Sequence, residues 1–460
     1  MHVSGDDKST SESAFQPPPM TWRTWYAVVM LGLILMLSHI DRGVIALLVQ
    51  PIKADLKLTD TEMSVIIGIA FSSAYVIAGL PLSRLADRTS RKLILVGGLA
   101  FWSLATATAA LANSFAALFA ARAAIGAGES VQAPASLSMI SNMVPRKRLP
   151  RAFSIYSTGG FAGMAASMII GGVLIGHLAK TPDITLPVIG TLRDWQMVFL
   201  ICGIPGLLIA LLFLLTVPEP KRPPETVAAP KHQVPGRDVI DFLWAERRLY
   251  FPMFAGAALW SIEALGMTAW RVAFFERTYG WGPEQAGPLL GIISLVTIPV
   301  GLAAGAVLSE KLDKKGYSDA MLRAYCWAHA IMLPLSIAAL LVGSPWVAAI
   351  LWAMSNFFTG MGHPGMNSAI QIATPNHLRG QISWLYLFFV SIIGSGVGPM
   401  LVALTTDYVL QNEAQLRWAM VIVAGTLGPL GLFLSFRALK PYGDRVDRVL
   451  QAERAAELSR

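Results

Sequence analysis

The sequence predicts an all-helical membrane protein of about twelve transmembrane helices in two six-helix pseudo-repeats, and three observations carry that prediction. The chain of 460 residues is 54% hydrophobic and 14% charged, with a mean hydropathy of +0.56, whereas a soluble domain carries about 25% charged residues. Apolar stretches of about 20 residues, each long enough to cross a ~30 Å hydrocarbon core, recur about twelve times. A short basic connection, Ser83–Lys92, has an imitation far downstream in Leu308–Gly316, with Asp313 in the place of Asp87.

Taken in order, residues 1–23 are polar and proline-rich, show no signal-peptide pattern, and read as a cytoplasmic tail. Spans are expected at 24–47, 62–86, 93–112, 115–141, 152–178 and 195–217, which form an N-terminal half over 24–217. Residues 218–250 hold Pro218, Pro220, Pro223, Pro224, Pro230 and Pro235 and many charges, with no apolar run long enough to span, so they read as a cytoplasmic linker. Spans at 251–276, 286–309, 321–342, 346–373, 380–404 and 416–439 form the second half over 251–440, and 441–460 is a second cytoplasmic tail. Helices are required because the backbone must satisfy its own hydrogen bonds inside lipid. The weak alternating segments of about 10 residues that mark a membrane barrel are absent.

Lys and Arg set the orientation. With the N-terminus inside, they crowd into 84–92, 146–151, the linker, 311–323 and the C-terminal tail. The opposite side carries Lys53, Lys57, Lys180, Arg193, Arg277 and Arg417, while Arg42, Arg122 and Arg271 fall within spans. Both termini are therefore expected in the cytoplasm, in a cell inner membrane. The net charge of +8 follows this topology and not a nucleic-acid surface. Cys202 and Cys326 both fall in apolar spans, so no disulfide is implied.

The repeat extends beyond the basic connection. Gly126-Ala-Gly-Glu129 matches Gly360-Met-Gly-His363, Pro145 matches Pro375, Arg151-Ala152 matches Arg379-Gly380, and Arg42 has Arg271 as its counterpart. Thr59-Asp-Thr-Glu62 opens span 2 as a capping box, where Gly282-Pro-Glu-Gln285 opens span 8. Parallel half-repeats around a membrane-normal axis are a transporter architecture with the substrate site between the halves.

Ser83–Lys92 resembles the signature between spans 2 and 3 of the major facilitator superfamily, with serines where that signature has glycines at 83 and 90. Arg122-Ala-Ala-Ile-Gly-Ala-Gly-Glu129 resembles its span 4 signature. His39-Ile-Asp-Arg42, the Gly-Ala-Gly-Glu129 run and Trp281-Gly-Pro-Glu284 together are similar to the spinster-like branch, in the manner of a bacterial homologue. The resemblance covers 24–440. It implies the major facilitator fold, alternating access, proton coupling, and transport of a lysolipid or sphingoid phosphate as in eukaryotic members.

Charged side chains inside spans cost about 2.5–3.5 kcal/mol at a helix centre and mark function or pairing. Asp41, Arg42, Arg122, Glu129 and Glu263 are such groups, with Arg271 nearer an interface. At ~1.5 Å per residue, Asp41 and Arg122 sit at matching depth about 10 Å below the outer surface, with Glu129 and Glu263 near the midplane. Desolvation favours the neutral acid and a neighbouring guanidinium the ionised one, and these opposed effects suit a proton site. Asp41 and then Glu129 are expected to couple protons, with Arg42, Arg122 and Glu263 as substrate or charge partners. A fixed Arg122–Glu129 pair that fastens span 4 is the bland alternative, as is a water-reached Asp41–Arg42 pair.

Asp87, Arg88, Arg91 and Asp313 are expected to gate, Asp87 by accepting hydrogen bonds at a neighbouring helix N-terminus. His363 reads as a helix–helix hydrogen-bond partner. Phe357, Phe358, Met361, Trp384, Tyr386 and Phe388 could line an apolar pocket, although packing is the default for each. No phosphate-cradling loop, metal spacing or nucleophile–base set is visible, so an enzyme, a cofactor and a metal are not expected. The expected partners are protons, membrane lipids and a small-molecule or lipid substrate, without nucleic acid, acting on a monomer. The rival readings are an organic-anion or drug:proton transporter and a membrane receptor or scaffold without flux.

Overall fold

The computed structural model describes residues 20–180, 184–186, 190–220, 236–375 and 377–458, and at 80, 83, 84, 86–88, 146, 184–186, 452–454 and 456–458 the backbone alone. The first six spans are Trp22–Val44, 60–88, Arg91–Ala109, 115–143, Leu149–Leu178 and Asp194–Thr216. The second six are Arg247–Tyr279, Pro283–Lys314, Ala320–Leu341, Pro345–Ala373, 379–410 and Leu416–Leu458. Among the described residues, 10 helices are long and apolar enough to cross a bilayer on length and hydropathy alone. Spans 4 and 10 complete the set; they carry Arg122, Glu129 and Gln132, and Asn356, His363 and Asn367, which lower their hydropathy.

Local chemistry explains the ends and breaks. Thr21 and Thr59 each close a capping box, with Thr24 and Glu62. Span 4 breaks between Phe115–Glu129 and Gln132–Met143. Pro134 explains the break, since it lacks an N–H and its ring opposes the carbonyl one turn earlier. Spans 2 and 11 contain π-helical turns, at Val65–Ala70 in the first and at Phe389–Ile393 and Thr405–Leu410 in the second.

Three elements lie outside the sequence expectations. A helix Val49–Leu56 fills the connection after span 1 and ends on Lys57 in the left-handed region. Within the expected linker, Gly236–Ala245 is helical, with Val239 buried and Phe242 and Leu243 packed on the core. Two short strands pair antiparallel between spans 5 and 6, with Ile184 opposite Leu192. The helix of span 12 runs on through the segment expected as a tail.

The packing repeats as the sequence does. In the first half span 1 packs on 5, 2 on 4, and 3 on 4 and 6; in the second half 7 packs on 11, 8 on 10, and 9 on 10 and 12. The halves meet through spans 5 and 8 and through spans 2 and 11. Backbones come close at both seams. A Cβ on Gly287 would stand 2.7 Å from the Met168 carbonyl, and one on Gly68 would collide with the Ser395 carbonyl. The two π-containing spans thus face each other across the second seam.

The two ends of the bundle differ. At the end far from the termini, one apolar core draws on both halves, joining Val44–Val49 and Phe199 to Trp270, Phe274, Phe275 and Trp352. At the near end each half has its own core, one built from residues 27–217 and the other from 239–446. Polar contacts seal the far end. Fully buried Asp60 takes both Arg277 Nη atoms at 2.7 Å and pairs with Lys53. Lys53 also reaches Glu413 at 2.8 Å, and Asp407 accepts from the Thr61 N–H and hydroxyl at 2.7 and 2.6 Å.

Candidate functional site

Span 1 delivers three polar side chains within one turn. Ser38 and Arg42 are four residues apart and share a helix face. Both reach Oε2 of Glu129 on span 4, Ser38 Oγ donating at 2.6 Å and Arg42 Nε at 2.7 Å. Glu129 has no solvent exposure, and its Oε1 has no hydrogen-bond partner. Asp41 points elsewhere and is also buried. Its carboxyl lies beside the Trp102 indole of span 3, although the indole N–H makes no well-formed hydrogen bond. Arg122 of span 4 is buried and donates from Nη1 to the Asp41 carbonyl at 3.3 Å, leaving its Nε without a partner.

An aromatic floor from span 2 supports the cluster. The Arg42 guanidinium stands 4.6 Å from the Phe71 centroid and 5.3 Å from that of Tyr75, and Arg122 stands 5.4 Å from Phe71. Cation–π attraction of this kind is worth up to about 2 kcal/mol where water is excluded. Gly126 makes the approach possible, because a Cβ there would run into the Phe71 backbone. Two carboxyls and two guanidiniums therefore share one desolvated site with formal charges that cancel.

The site opens in one direction. Arg42 is 35% exposed while its partner Glu129 is at 0%. Every residue from Val44 to Val49, between Arg42 and the far end, is buried. The space that Arg42 faces therefore lies toward the near end, where the cores of the two halves are separate. Arg42 is thus the exposed member of its pair with the buried Glu129.

The other residues singled out from sequence are not gathered here. Glu263 is buried inside the second half, accepting from Ser336 Oγ of span 9 at 3.2 Å, in a small enclosed cavity with Trp260, Tyr325 and His329. Arg271 lies 5.0 Å over the Trp352 ring. His363 is exposed, next to a glycine that packs on His329. Phe357 and Phe358 stack edge to face at 5.2 Å, and Tyr386 is buried in the second half's near-end core.

The basic connection resolves in part. The side chains of Asp87 and Arg88 lie outside the described residues. Arg91 is buried and donates to Ser138 Oγ at 3.0 Å, the Pro220 carbonyl at 2.9 Å and Glu219 at 3.3 Å. Glu219 is the residue that sequence reasoning missed. Its carboxylate also accepts from Ser90 Oγ at 2.7 Å and from the backbone N–H groups of Arg91 and Lys92 at 3.2 and 2.8 Å, at the N-terminus of span 3. Burial pushes this carboxyl up, but the hydrogen bonds from Ser90, Lys92 and Arg91 outweigh it and hold it below the usual carboxylate range. The signal was an acid between two prolines, Pro218-Glu219-Pro220, directly after a span. Asp313 is exposed, and no ion pair to it is present among the described residues.

Ser38, Phe71, Tyr75 and Trp102 were also missed. Ser38 was legible as the residue one turn before Arg42; the aromatic residues carried no signal that separated them from ordinary span residues.

Two six-helix repeats with a buried charge cluster in the first define a membrane transporter of the two-bundle kind, not an enzyme. The chain belongs to the Major Facilitator Superfamily, whose model matches residues 31–399. It is 26% identical over 392 residues to an MFS-type efflux pump of Mycolicibacterium smegmatis, covering 84% of this chain and 85% of that one. It is 24% identical over 425 residues to a probable galactarate/D-glucarate transporter, GudP, of Bacillus subtilis, covering 87% and 88%. Its fold is similar to that of a bacterial homologue of the human lysosomal transporter Spinster in an inward-facing, unoccupied conformation, with a TM-score of 0.74, 23% identity and coverage of 94% and 98%.

Proposed function

We propose that this transporter is a proton-coupled secondary carrier of the spinster-like branch, with both termini cytoplasmic, that moves an amphiphilic anion of the lysolipid or sphingoid phosphate class. The observation that carries the reading is the half-exposed Arg42 guanidinium bonded to the fully buried Glu129. With all four charges formed the cluster is neutral. A proton taken up by Asp41 or Glu129 leaves one guanidinium in excess, and that guanidinium is then free to fork onto a phosphate or carboxylate. Loading the proton and binding the anion thus help each other through Arg42. The positive-inside pattern supports a cytoplasmic near end, and with that orientation the molecule faces inward in this reading. Asp87, Arg88, Arg91 and Asp313 belong to the gate in this reading, with Arg91 held by Glu219. Glu263 is a charge partner within the second half.

Asp41→Asn keeps the shape of the side chain and removes its titration. Transport in proteoliposomes should lose its dependence on an imposed pH gradient while the purified variant keeps its melting temperature within a few degrees. Unchanged coupling would remove Asp41 from the mechanism. A second reading, a sugar-acid or similar small organic anion, is favoured by the likeness to GudP. Competition of lysolipids against galactarate for the same uptake separates the two.

A further inference from the structure

Away from the charge cluster of spans 1 and 4, a crevice of about 1100 Å³ opens at the near end between spans 7, 11 and 12, beneath the helix Gly236–Ala245. Its walls are apolar, and two of its side chains lie bare: Phe251 at 71% exposure and Phe433 at 56%. On the roofing helix Ile240 and Trp244, four residues apart, present a second apolar face to the crevice, at 66% and 71% exposure, while Val239 and Leu243 pack inward. That helix thus has the two-sided apolar pattern of helices that lie along a membrane boundary.

Three arginines line the same crevice: Arg247, Arg248 and Arg437. All are exposed, and none has a carboxylate within ion-pair distance among the described residues. The contrast with their neighbours is telling. Arg445 and Arg448, on the same stretch of span 12, both pair with Glu246, at 3.2 and 3.3 Å. Arg247 rests 5.4 Å over Trp244, and Arg437 rests 5.8 Å over Phe433, so two of the unpaired cations are held at the crevice by its own aromatic side chains.

The dimensions suit one kind of molecule. Along span 7 the lining runs from Arg247 to Ala258, about 16 Å of helix, which is half the ~30 Å hydrocarbon core and so the depth of one leaflet. Charge is confined to the boundary end and the rest is apolar. A soluble anion would leave the deep apolar part wet, and a neutral lipid would leave three cations unmatched. Basic pockets between helices at this level select anionic head groups.

We propose that this crevice is a binding site for one anionic phospholipid of the near-side leaflet, its phosphate on Arg247, Arg248 and Arg437 and its acyl chain along Phe251, Phe389 and Phe433. The site is separate from the charge cluster of spans 1 and 4, and its occupant pins the linker helix to spans 7 and 12.

The test uses the full chain in a neutral detergent, titrated with phosphatidylglycerol, phosphatidylcholine or inorganic phosphate, with melting temperature and native mass spectrometry as readouts. Phosphatidylglycerol should raise the melting temperature and survive as a one-to-one adduct, and the other two should do neither. Arg247→Gln, Arg248→Gln and Arg437→Gln together should weaken the adduct roughly a hundredfold, each charge near a membrane surface being worth about a fivefold change. These substitutions are exposed and leave the fold intact, which the unliganded melting temperature checks. Equal effects of phosphatidylcholine would overturn the charge selection, equal effects of phosphate would reduce the site to a free-anion patch, and an unaltered phosphatidylglycerol adduct in the triple variant would place the lipid elsewhere. Failure of any of these leaves the proton-coupling result at Asp41 untouched, so the two readings fall separately.

Discussion

The two halves of the chain share a scaffold and differ in charge. The matched Gly126 and Gly360 each lie against the backbone of the neighbouring span, span 2 in the first half and span 8 in the second. The positions that carry Asp41, Arg42, Arg122 and Glu129 in the first half carry Trp270, Arg271, Asn356 and His363 in the second. There the Trp270 indole donates to the Pro399 carbonyl at 2.9 Å, and Asn356 Nδ2 donates to Ser294 Oγ at 3.2 Å. Those are neutral bonds that hold helices together. The second half's own intramembrane acid, Glu263, sits two turns before Arg271 on the same span and is sealed within its bundle. The two halves therefore share the helical scaffold, while the buried carboxylate–guanidinium cluster is in the first half. A variant that removes charge from the first half should alter coupling, and the matching change in the second should not.

The largest effect is expected at Glu129. Glu129→Gln removes the acid bonded to Arg42 and a negative charge near Arg122. Breaking a buried pair from one side costs about 3–5 kcal/mol, and the exposure of Arg42 puts this case at the lower end. Uptake in proteoliposomes should fall to background at every pH, with a lowered melting temperature. Uptake that keeps its pH response in Glu129→Gln would show that the cluster is a fastener and not a switch.

Next comes the far-end seal, which joins the halves that the comparison separates. Lys53 and Arg277 are both nearly buried, at 5% and 8% side-chain exposure, and share Asp60 and Glu413 as counter-charges. Asp60→Asn leaves the two cations with Glu413 and one positive charge in excess in the sealed state, so the population should move toward the state open at that end. A bias of about 3 kcal/mol corresponds to a population change of roughly a hundredfold. Spin labels at exposed Leu111 and Trp346, in a background without Cys202 and Cys326, should report a longer distance in the variant. An unchanged distance distribution would mean that the shared apolar core, and not the ion pairs, holds the end closed.

The sequence made the scaffold readable because lipid imposes long apolar runs and because the repeat could be aligned on Asp87 and Asp313. It made Asp41, Arg42, Arg122 and Glu129 readable for the same reason: charge is rare in hydrocarbon and stands out. What stayed hidden has no such contrast. Phe71 and Tyr75 are aromatic residues in an apolar span, and only the crossing of spans 1, 2 and 4 turns them into a floor for guanidiniums. Asp60 looked like an ordinary first-turn acid of a capping box, and its pairing with Arg277 spans a separation of 217 residues. The depth argument treated every span as a uniform rod, so it set Glu263 level with Glu129 without showing that the two face different bundles. The π-turns of spans 2 and 11 likewise leave no mark on the periodicity.

Glu219 offers a smaller test at the near end of the first half. Its carboxylate satisfies N–H groups at the start of span 3, a contact of the capping kind worth about 1 kcal/mol. Because its folded-state acidity is stronger than the ordinary value, this contribution is present at neutral pH. It should fade as the pH falls below the usual glutamate range of about 4.3. Glu219→Gln should melt a few degrees lower at pH 7 and converge with the natural protein in acid. A constant difference between the two across that range would assign the effect to packing and not to charge.

The smallest effect, and the sharpest use of the comparison, is at His363. It occupies the position of Glu129 in the repeat, and a histidine is the one side chain whose ordinary titration lies near neutral pH. On sequence alone it is therefore the natural place for a second proton site. The structure gives it none of the surroundings that it gives Glu129. Its side chain is exposed, and the position matching Arg122 is Asn356, which bonds within the second half. Arg271, the counterpart of Arg42, lies over Trp352. A titration that no bonded partner reads cannot bias the two halves, because a ligand shifts an equilibrium only through its differential affinity for the two states. His363→Gln should therefore keep both the rate of uptake within about twofold and the midpoint of its pH profile. A displaced midpoint would place a coupling group in the second half after all and would end the assignment of the switch to spans 1 and 4 alone.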